Sequence, residues 1–167
     1  MPPIRIGHGY DLHRLEPLAP AGAARPLILG GVAIPSDCGP VSHSDGDALL
    51  HAITDAILGA LGAPDIGELF PDSALENAGR DSADFLREAM HRLDAAGYRL
   101  GNVDATVILE QPKLAAHKAA VRARLAELLG VDPGRVNIKG KTHEGVDAVG
   151  ERRAVEVHVV VIIMADR

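Results

Sequence analysis

The chain has 167 residues, and its length, composition and charge already limit what the protein can be. That length suits one domain with its own apolar core, so we expect residues 1–167 to form a single domain. Aromatic residues make up only 2% of the chain, which leaves few rings for stacking on nucleic-acid bases. Because the formal net charge is −6, we expect neither nucleic acid nor an anionic membrane as a partner.

Two features bear on where the protein works. Cys38 is the single cysteine and can form no internal disulfide, which fits a reducing cytoplasm. The first five residues lack the pattern of a signal peptide, and the longest apolar run, 159–165, is far shorter than the roughly 20 residues that cross a bilayer. We therefore expect a soluble, cytoplasmic protein.

The N-terminal third of the chain predicts two strands and a helix. Ile4–Leu15 is extended in character and contains two glycines, and Leu27–Pro35 is a second apolar, β-branched run. We expect these two strands to pair with each other. Apolar residues then recur at helical spacing, which predicts a helix with Ser44 as its N-cap and an end near Gly62.

A long loop precedes the next group of elements. Residues 63–80 contain no strong helix or strand pattern, and a connection of that length suggests a functional role. After it, apolar spacing predicts a helix from Ser82 that stops at Gly97, a strand over Asn102–Glu110 and a third helix over Leu114–Leu129.

The C-terminal part predicts two more strands around a loop. Arg135–Lys141 is a short strand, Thr142–Arg152 a glycine-containing loop, and Ala154–Met164 a final strand that ends apolar on both faces. A strand of that kind belongs in the middle of a sheet or against another subunit. The order β-β-α-α-β-α-β-β predicts an α+β fold, an α/β sandwich in which a layer of helices covers a mixed sheet.

Asp11, His13 and His51 form the strongest candidate for a metal site. Asp11 and His13 are two positions apart on an extended segment, so both side chains leave the same face of the strand. His51 can join them if the first helix packs on that face. One carboxylate and two imidazoles leave a fourth coordination position open, which is typical of catalytic zinc. The alternative is that these histidines make ordinary hydrogen bonds.

Two further pairs of residues could contact a ligand. His43 and Ser44 stand at the expected start of the first helix, where backbone N–H groups, a hydroxyl and an imidazole can bind an anion. The alternative is that Ser44 only caps the helix. Pro112 and Lys113 follow a strand, and the lysine is either a surface residue at a helix start or a nucleotide contact.

The segment Lys139–Glu144 resembles a phosphate-binding P-loop only superficially. Gly134 lies six positions before Gly140, whereas that motif requires five, and no helix pattern follows. What remains is a loop in which Thr142 offers a hydroxyl and Glu144 a hard oxygen ligand for Mg²⁺ or Mn²⁺. The alternative is a solvated polar turn.

Taken together and in order, these motifs resemble those of the 2-C-methyl-D-erythritol 2,4-cyclodiphosphate synthase family. The resemblance covers nearly the whole chain, and accidental agreement of so many spaced motifs is implausible. The matching segments are Arg5–His13, His43–Asp47, His51–Ala56, Asp65–Gly67, Phe70–Asp72, Gly101–Asp104, Pro112–Lys113 and Val136–Lys139.

The resemblance implies an enzyme, a phosphorus–oxygen lyase of the non-mevalonate isoprenoid pathway. Such an enzyme converts 4-diphosphocytidyl-2-C-methyl-D-erythritol 2-phosphate to 2-C-methyl-D-erythritol 2,4-cyclodiphosphate and CMP. The 2-phosphate attacks the β-phosphate within one substrate molecule, with the help of metal ions. The resemblance also implies a homotrimer with active sites between neighbouring subunits.

The resemblance further implies a role for each matching residue. Zn²⁺, or another divalent transition metal, would bind one carboxylate and two imidazoles, and Mg²⁺ or Mn²⁺ would bridge the substrate phosphates. The implied residues are Asp11, His13, His51 and Glu144 for the metals, His43 and Thr142 for catalysis, and Ser44, Asp65, Gly67, Phe70, Asp72, Pro112 and Lys113 for the substrate.

The loop at 146–153 departs from the family pattern. Family members usually have a Gly-Phe-Thr-Gly-Arg-Gly-Glu-like stretch there, whereas this chain reads Val-Asp-Ala-Val-Gly-Glu-Arg-Arg. The missing Phe and Arg are associated with a cavity on the trimer axis that binds isoprenoid diphosphates. We therefore expect Ala148 and Glu151 to weaken or abolish that binding.

Two other functions fit the same residues. A metal-dependent phosphoesterase would use an open zinc site with water as the nucleophile, and would release a linear product. A non-catalytic binding module would use zinc only to stabilise the fold, although structural zinc normally has four protein ligands.

Overall fold

The computed structural model of the chain describes residues 3–71, 73–74 and 77–166. None of the helices in these ranges is long and apolar enough to pass through a bilayer. The strands are β1 (Ile4–Pro17), β2 (Ile28–Leu29), β3 (Val32–Ala33), β4 (Cys38–Pro40), β5 (Tyr98–Ile108), β6 (Val136–Lys141) and β7 (Ala154–Ala165). The helices are α1 (Ala48–Leu61), α2 (Ile66–Leu69), α3 (Ser82–Ala95), α4 (Lys118–Leu129) and α5 (Asp147–Gly150).

A five-stranded sheet in the order β4-β1-β7-β5-β6 forms the centre of the fold. Strand β7 runs antiparallel to both of its neighbours, β1 and β5, whereas β6 pairs parallel with β5. The sheet is therefore mixed, and α1, α3 and α4 pack near it through an apolar core, as the sequence predicts. The central place of β7 is also confirmed, because strands flank it on both sides.

The other face of the sheet is open in the single chain, and it carries apolar residues of β1 and β7 beside polar residues of β5 and β6. Alternate residues of β1 point to this face, and among them Ile4, Ile6 and Leu12 are exposed. Val160 of β7 is exposed on the same face. An exposed apolar patch of this kind is typical of a surface that associates with another protein surface.

Two glycines of β1 let α1 lie directly on the strand. A Cβ atom at Gly7 would stand 1.8 Å from the carbonyl oxygen of Ala56, and one at Gly9 would stand 1.8 Å from that of Ala52. No side chain larger than hydrogen fits at either position, because real Cβ atoms do not approach backbone oxygen so closely. The alternating pattern of glycines in β1 is therefore a packing device that fixes the distance between strand and helix.

The predicted pairing of the two opening strands is wrong. The segment Leu27–Pro35 is a tight hairpin of β2 and β3 that turns at Gly30 and Gly31, and it forms a separate two-stranded sheet. Strand β1 pairs with β4 and β7 instead. The two glycines at positive φ close the turn, so the run is too short to supply a long strand.

The predicted N-cap of the first helix is also wrong. Asp47, and not Ser44, caps α1, since its Oδ1 atom accepts hydrogen bonds from the backbone N–H groups of Leu49 and Leu50. The same buried carboxylate accepts the N–H groups of Gly30 and Gly31 at 2.9 and 2.6 Å. Asp47 therefore joins the β2–β3 hairpin to the start of α1.

Two predicted loops contain short helices. Helix α2 lies within the 63–80 connection, where Asp65 caps it by accepting the N–H of Glu68. Helix α5 lies within Thr142–Arg152. Both are single turns, too short to leave a periodic apolar pattern in the sequence.

Candidate active site

The packing of α1 on β1 brings the three predicted metal ligands together. Asp11 and His13 continue the glycine-bearing face of β1, two and four residues after Gly9, and so they face the helical layer. His51 is the residue before Ala52, whose carbonyl touches Gly9. The side chains from the strand and the helix therefore converge just beyond the point of closest contact.

The three ligand atoms meet around one position. Oδ2 of Asp11 lies 2.9 Å from Nδ1 of His13 and 3.2 Å from Nδ1 of His51, and all three atoms lie within 4.8 Å of one another. The Nδ1 atom of His13 is buried, and the Asp11 carboxylate is the one polar group that the described residues place beside it. A buried ring nitrogen next to a carboxylate fits a metal ligand, because a cation between the two atoms would satisfy both.

The electrostatics of the cluster agree with this geometry. Burial acts to raise the pKa of Asp11, but hydrogen bonds and charge from His13 and His51 outweigh it and lower the pKa to about 2. Burial acts to lower the pKa of His51, but the Asp11 carboxylate outweighs it and raises the pKa. The Asp11 carboxylate is thus ionised at neutral pH and can attract a cation.

The cluster forms part of the wall of a cleft of about 390 Å³. The predicted residues His43, Ser44, Gly67 and Phe70 line the same cleft, so the structure brings them together with the three metal-ligand candidates. The side chain of His43 is exposed, and Ser44 is buried. Since Ser44 is not the helix cap, its hydroxyl belongs to the cleft, 3.3 Å from Nε2 of His51.

The α2 region forms another side of the cleft. Gly67 lies in α2, and Phe70 ends it with its ring 4.7 Å from that of Phe85. Asp65 caps α2 and does not line the cleft. The predicted residue Asp72 lies outside the described residues.

The remaining predicted residues lie elsewhere on the chain. Lys113, Thr142 and Glu144 line a second cleft of about 370 Å³. In it, the Thr142 hydroxyl donates a hydrogen bond of 3.2 Å to Glu144. Pro112 borders a third depression, next to Arg152.

The sheet register shows how far apart the first two clefts are. Asp11 pairs with Val157, Val157 with Val107, and Val107 with Gly140, which places Asp11 and Gly140 in one row across four strands. Three strand spacings amount to roughly 14 Å. Within one chain, the residues predicted to bind the substrate therefore form two separate groups.

Sequence reasoning missed several residues around the metal cluster. Ser82 and Phe85 of α3 both touch the His51 side chain, and Arg80 lies over the rings of Phe70 and Phe85. Asp45 is hydrogen-bonded to Ser82. The sequence around Ser82 indicates only the start of a helix. The contact of Ser82 with His51 joins residues 31 positions apart, so it leaves no local pattern.

Known proteins resemble this chain along almost its whole length. The model of the YgbB family matches residues 4–164. A relative from Arabidopsis thaliana, named 2-C-methyl-D-erythritol 2,4-cyclodiphosphate synthase, chloroplastic, is 54% identical over 162 residues, which is 97% of this chain and 68% of the relative. A synthase of the same enzyme name from Gemmatimonas aurantiaca is 50% identical over 97% of this chain and 94% of its own length.

Solved structures agree with the sequence comparison. The structure of IspF from Plasmodium falciparum in complex with CDP superposes with a TM-score of 0.85 at 38% identity, over 98% of this chain and 97% of that one. The bifunctional IspDF from Campylobacter jejuni gives a TM-score of 0.89 at 37% identity, over 97% of this chain and 42% of that one. The chain belongs to the YgbB family, the family of the 2-C-methyl-D-erythritol 2,4-cyclodiphosphate synthases.

Proposed function

We propose that this chain is the lyase that its family name describes, and that it converts 4-diphosphocytidyl-2-C-methyl-D-erythritol 2-phosphate to the 2,4-cyclodiphosphate and CMP. The observation that carries the proposal is the convergence of Asp11, His13 and His51 on a cleft that also contains His43 and Ser44, in a chain of this family. The CDP bound by the P. falciparum relative supports a cytidine diphosphate substrate.

The reaction needs no nucleophile from the protein. An oxygen of the 2-phosphate forms a bond to the β-phosphorus, and the bond from the β-phosphorus to the α,β-bridging oxygen breaks, so that CMP leaves with that oxygen. Both reacting groups belong to one substrate molecule. The chain therefore acts by orientation, and holding the two groups in attack geometry can supply several of the roughly 7–11 kcal/mol that good orientation is worth.

The side chains around the first cleft suit the 2-phosphate end of the substrate. The exposed imidazole of His43 and the hydroxyl of Ser44 are hydrogen-bond donors that can hold a phosphate. Gly67 and Phe70 line the cleft and offer a small and an apolar surface for the erythritol carbons, and the family pattern adds Asp65 and Asp72 to this group. We assign these residues to substrate binding, and His43 also to orientation of the attacking oxygen.

The donor set at Asp11, His13 and His51 fits a divalent transition metal. Zn²⁺ accepts two imidazole nitrogens and a carboxylate oxygen, and Fe²⁺ or Mn²⁺ binds similar sets. When bound, such an ion polarises the β-phosphate, and Mg²⁺ or Mn²⁺ at Glu144 neutralises charge on the CMP leaving group. Among the described residues this is the only cluster of three such ligands, which favours an open catalytic site over a structural one with four.

We propose that the active enzyme is a homotrimer in which two subunits complete each active site. Lys113 and Thr142, together with Pro112, would hold the cytidine diphosphate part next to the metal cluster of a neighbouring subunit. The separation of the two clefts within one chain supports this arrangement. The exposed apolar patch on β1 and β7 supports it too, because a neighbouring subunit would cover that patch.

Two further expectations accompany this proposal. Residues 1–167 form a single domain, which the family match over 4–164 supports. The protein works in the cytoplasm, which the single Cys38 supports. The plant relative is named as chloroplastic, so its location differs from the one proposed here.

The nature of the product tests the proposal directly. The protein is incubated with the diphosphocytidyl substrate and Mg²⁺, and the products are followed by ³¹P NMR, with the His51→Gln variant as the control. The cyclic diphosphate together with CMP supports the proposal. CMP together with a linear bisphosphate would instead make the protein a phosphoesterase, and unchanged substrate would contradict both activities.

A further inference from the structure

The ring nitrogen of His51 that faces away from Asp11 has partners of its own. Its Nε2 atom lies 2.8 Å from the hydroxyl oxygen of Ser82 at the start of α3, and 3.3 Å from that of Ser44. Ser82 is fully buried. The shorter contact therefore joins the metal cluster to a helix that supplies none of the three candidate ligands.

The hydroxyl group of Ser82 donates its hydrogen bond to Asp45. The Ser82 hydroxyl donates to Oδ1 of Asp45, and the Ser82 backbone N–H donates to Oδ2 of the same carboxylate at 3.1 Å. A carboxylate only accepts hydrogen bonds, so this pair fixes the direction of the hydroxyl. The Ser82 oxygen consequently offers a lone pair, and not a proton, to Nε2 of His51.

We propose that Asp45 and Ser82 are positioning residues that hold His51 in the tautomer with its proton on Nε2. A proton held on Nε2 leaves Nδ1 as the atom that can bind a metal ion, and Nδ1 is the atom that faces Oδ2 of Asp11, at 3.2 Å. The inference rests on the metal site of the proposed function. A metal-ligating histidine commonly donates its second ring N–H to such a partner, which fixes both its tautomer and its orientation.

The surroundings of the His51 ring support this assignment. The ring contacts those of His13 and Phe85, whose centroids are 5.2 and 5.8 Å away, so neighbouring rings restrain its orientation. The hydroxyl of Ser44 is 0.5 Å farther from Nε2 than that of Ser82 (3.3 against 2.8 Å), and it already accepts the N–H of Gly46. Ser82 is therefore the principal acceptor for the Nε2 proton.

Removal of the Ser82 hydroxyl is expected to leave the helix intact. Asp81, and not Ser82, caps α3 by accepting the N–H of Ala83 at 2.8 Å. Ser82→Ala therefore removes the contact with His51 but keeps the cap. Ser82→Thr keeps a hydroxyl at the same position and is the rescue variant. Ser36→Ala is the matched control, because that hydroxyl accepts only the N–H of Cys38.

Nitrogen-15 NMR of the zinc-bound protein reads the position of the His51 proton without an activity assay. Long-range ¹H–¹⁵N correlations distinguish a ring that binds the metal through Nδ1 and is protonated on Nε2 from a ring turned the other way. The His51 signals are assigned by their absence from the spectrum of His51→Gln. We expect the Nε2–H form in the wild type and in Ser82→Thr, and a mixture of both forms in Ser82→Ala.

Zinc affinity, measured by competition with a chromophoric chelator, is the second readout. We expect Ser82→Ala to bind zinc roughly 10- to 100-fold more weakly than the wild type, with Ser82→Thr restored and Ser36→Ala unchanged. A wild-type His51 protonated on Nδ1, or an unchanged tautomer and affinity in Ser82→Ala, would overturn the inference. A wild type that passes both tests but forms no cyclic product would contradict the proposed function and still support the inference.

Discussion

Gly9 of β1 and Ala52 of α1 touch backbone to backbone, since a Cβ atom at Gly9 would stand 1.8 Å from the Ala52 carbonyl oxygen. This contact sets the distance between the strand that carries Asp11 and the helix that carries His51. The metal cluster therefore depends on a residue that has no side chain and no chemistry of its own.

Substitution of Gly9 tests that dependence. Gly9→Ala forces the strand and the helix apart, so we expect a loss of about 3 kcal/mol or more of unfolding free energy in urea, together with weaker zinc binding. Gly59→Ala is the matched control, because Gly59 is an exposed residue of the same helix whose added Cβ meets only a backbone oxygen at 3.8 Å. The control is expected to gain up to about 1 kcal/mol. Equal stability of the two variants would contradict this view of the packing.

Removal of one ligand tests the metal site. We expect His51→Ala to lose more than about 100-fold in zinc affinity, a greater loss than removal of an outer-shell partner causes, and to lose turnover while it remains folded and trimeric. His91→Ala is the control, because His91 is an exposed residue of α3. Metal content, turnover and sedimentation are measured for both variants. Full activity in His51→Ala would refute the assignment.

The pH of the solution is expected to change zinc binding through the same residue. The pKa of His51 is raised, chiefly because the effect of the Asp11 carboxylate outweighs that of burial. A proton therefore competes with the metal for the imidazole, and zinc affinity should fall as the pH is lowered through that pKa. An affinity that does not change between neutral and mildly acidic pH would contradict the expectation.

The raised pKa of Asp47 predicts that the stability of the protein depends on pH. Burial raises the pKa of Asp47 to about 6, although hydrogen bonds from the backbone N–H groups of Gly31, Leu50 and Gly30 oppose the rise. Between pH of about 4 and about 6 the folded protein keeps a proton that the unfolded chain has released, so stability falls as the pH rises through this window, by about 3 kcal/mol at most. Urea unfolding of the metal-free protein measures the change. Asp47→Asn should lack this component, and an identical pH profile in that variant would refute it.

The sequence of the 146–153 loop predicts that the proposed trimer does not bind isoprenoid diphosphates tightly. Both arginines of the loop already have partners, since Arg153 pairs with Glu151 at 2.6 Å and Arg152 pairs with Asp37. A diphosphate would therefore have to break an existing ion pair in order to bind either guanidinium. Calorimetric titration with geranyl diphosphate should show no tight binding, whereas a tight complex of one ligand per trimer would refute the prediction.

The sequence predicts the contents of the metal cluster well, because its geometry is partly local. A separation of two residues on a strand puts Asp11 and His13 on one face, and the glycines before them mark where a helix can approach. The helical spacing that follows identifies α1. What the sequence does not predict is that α1 packs on this face of β1.

Other features depend on contacts that leave no local pattern. Serine and aspartate are both common helix caps, so residue type does not distinguish Ser44 from Asp47. Asp47 is the cap because its carboxylate also accepts the N–H groups of Gly30 and Gly31 in the β2–β3 hairpin. The contact between Ser82 and His51 joins two helices across 31 residues. Sequence spacing alone contains no information about either contact.

A crystal structure with anomalous diffraction data at the zinc edge tests the central claim most directly. We expect one anomalous peak per chain, about 2.0–2.2 Å from Oδ2 of Asp11 and from the Nδ1 atoms of His13 and His51, with a fourth position open to water or substrate. A fourth protein ligand, or zinc bound elsewhere with these three side chains turned away from one another, would contradict the account.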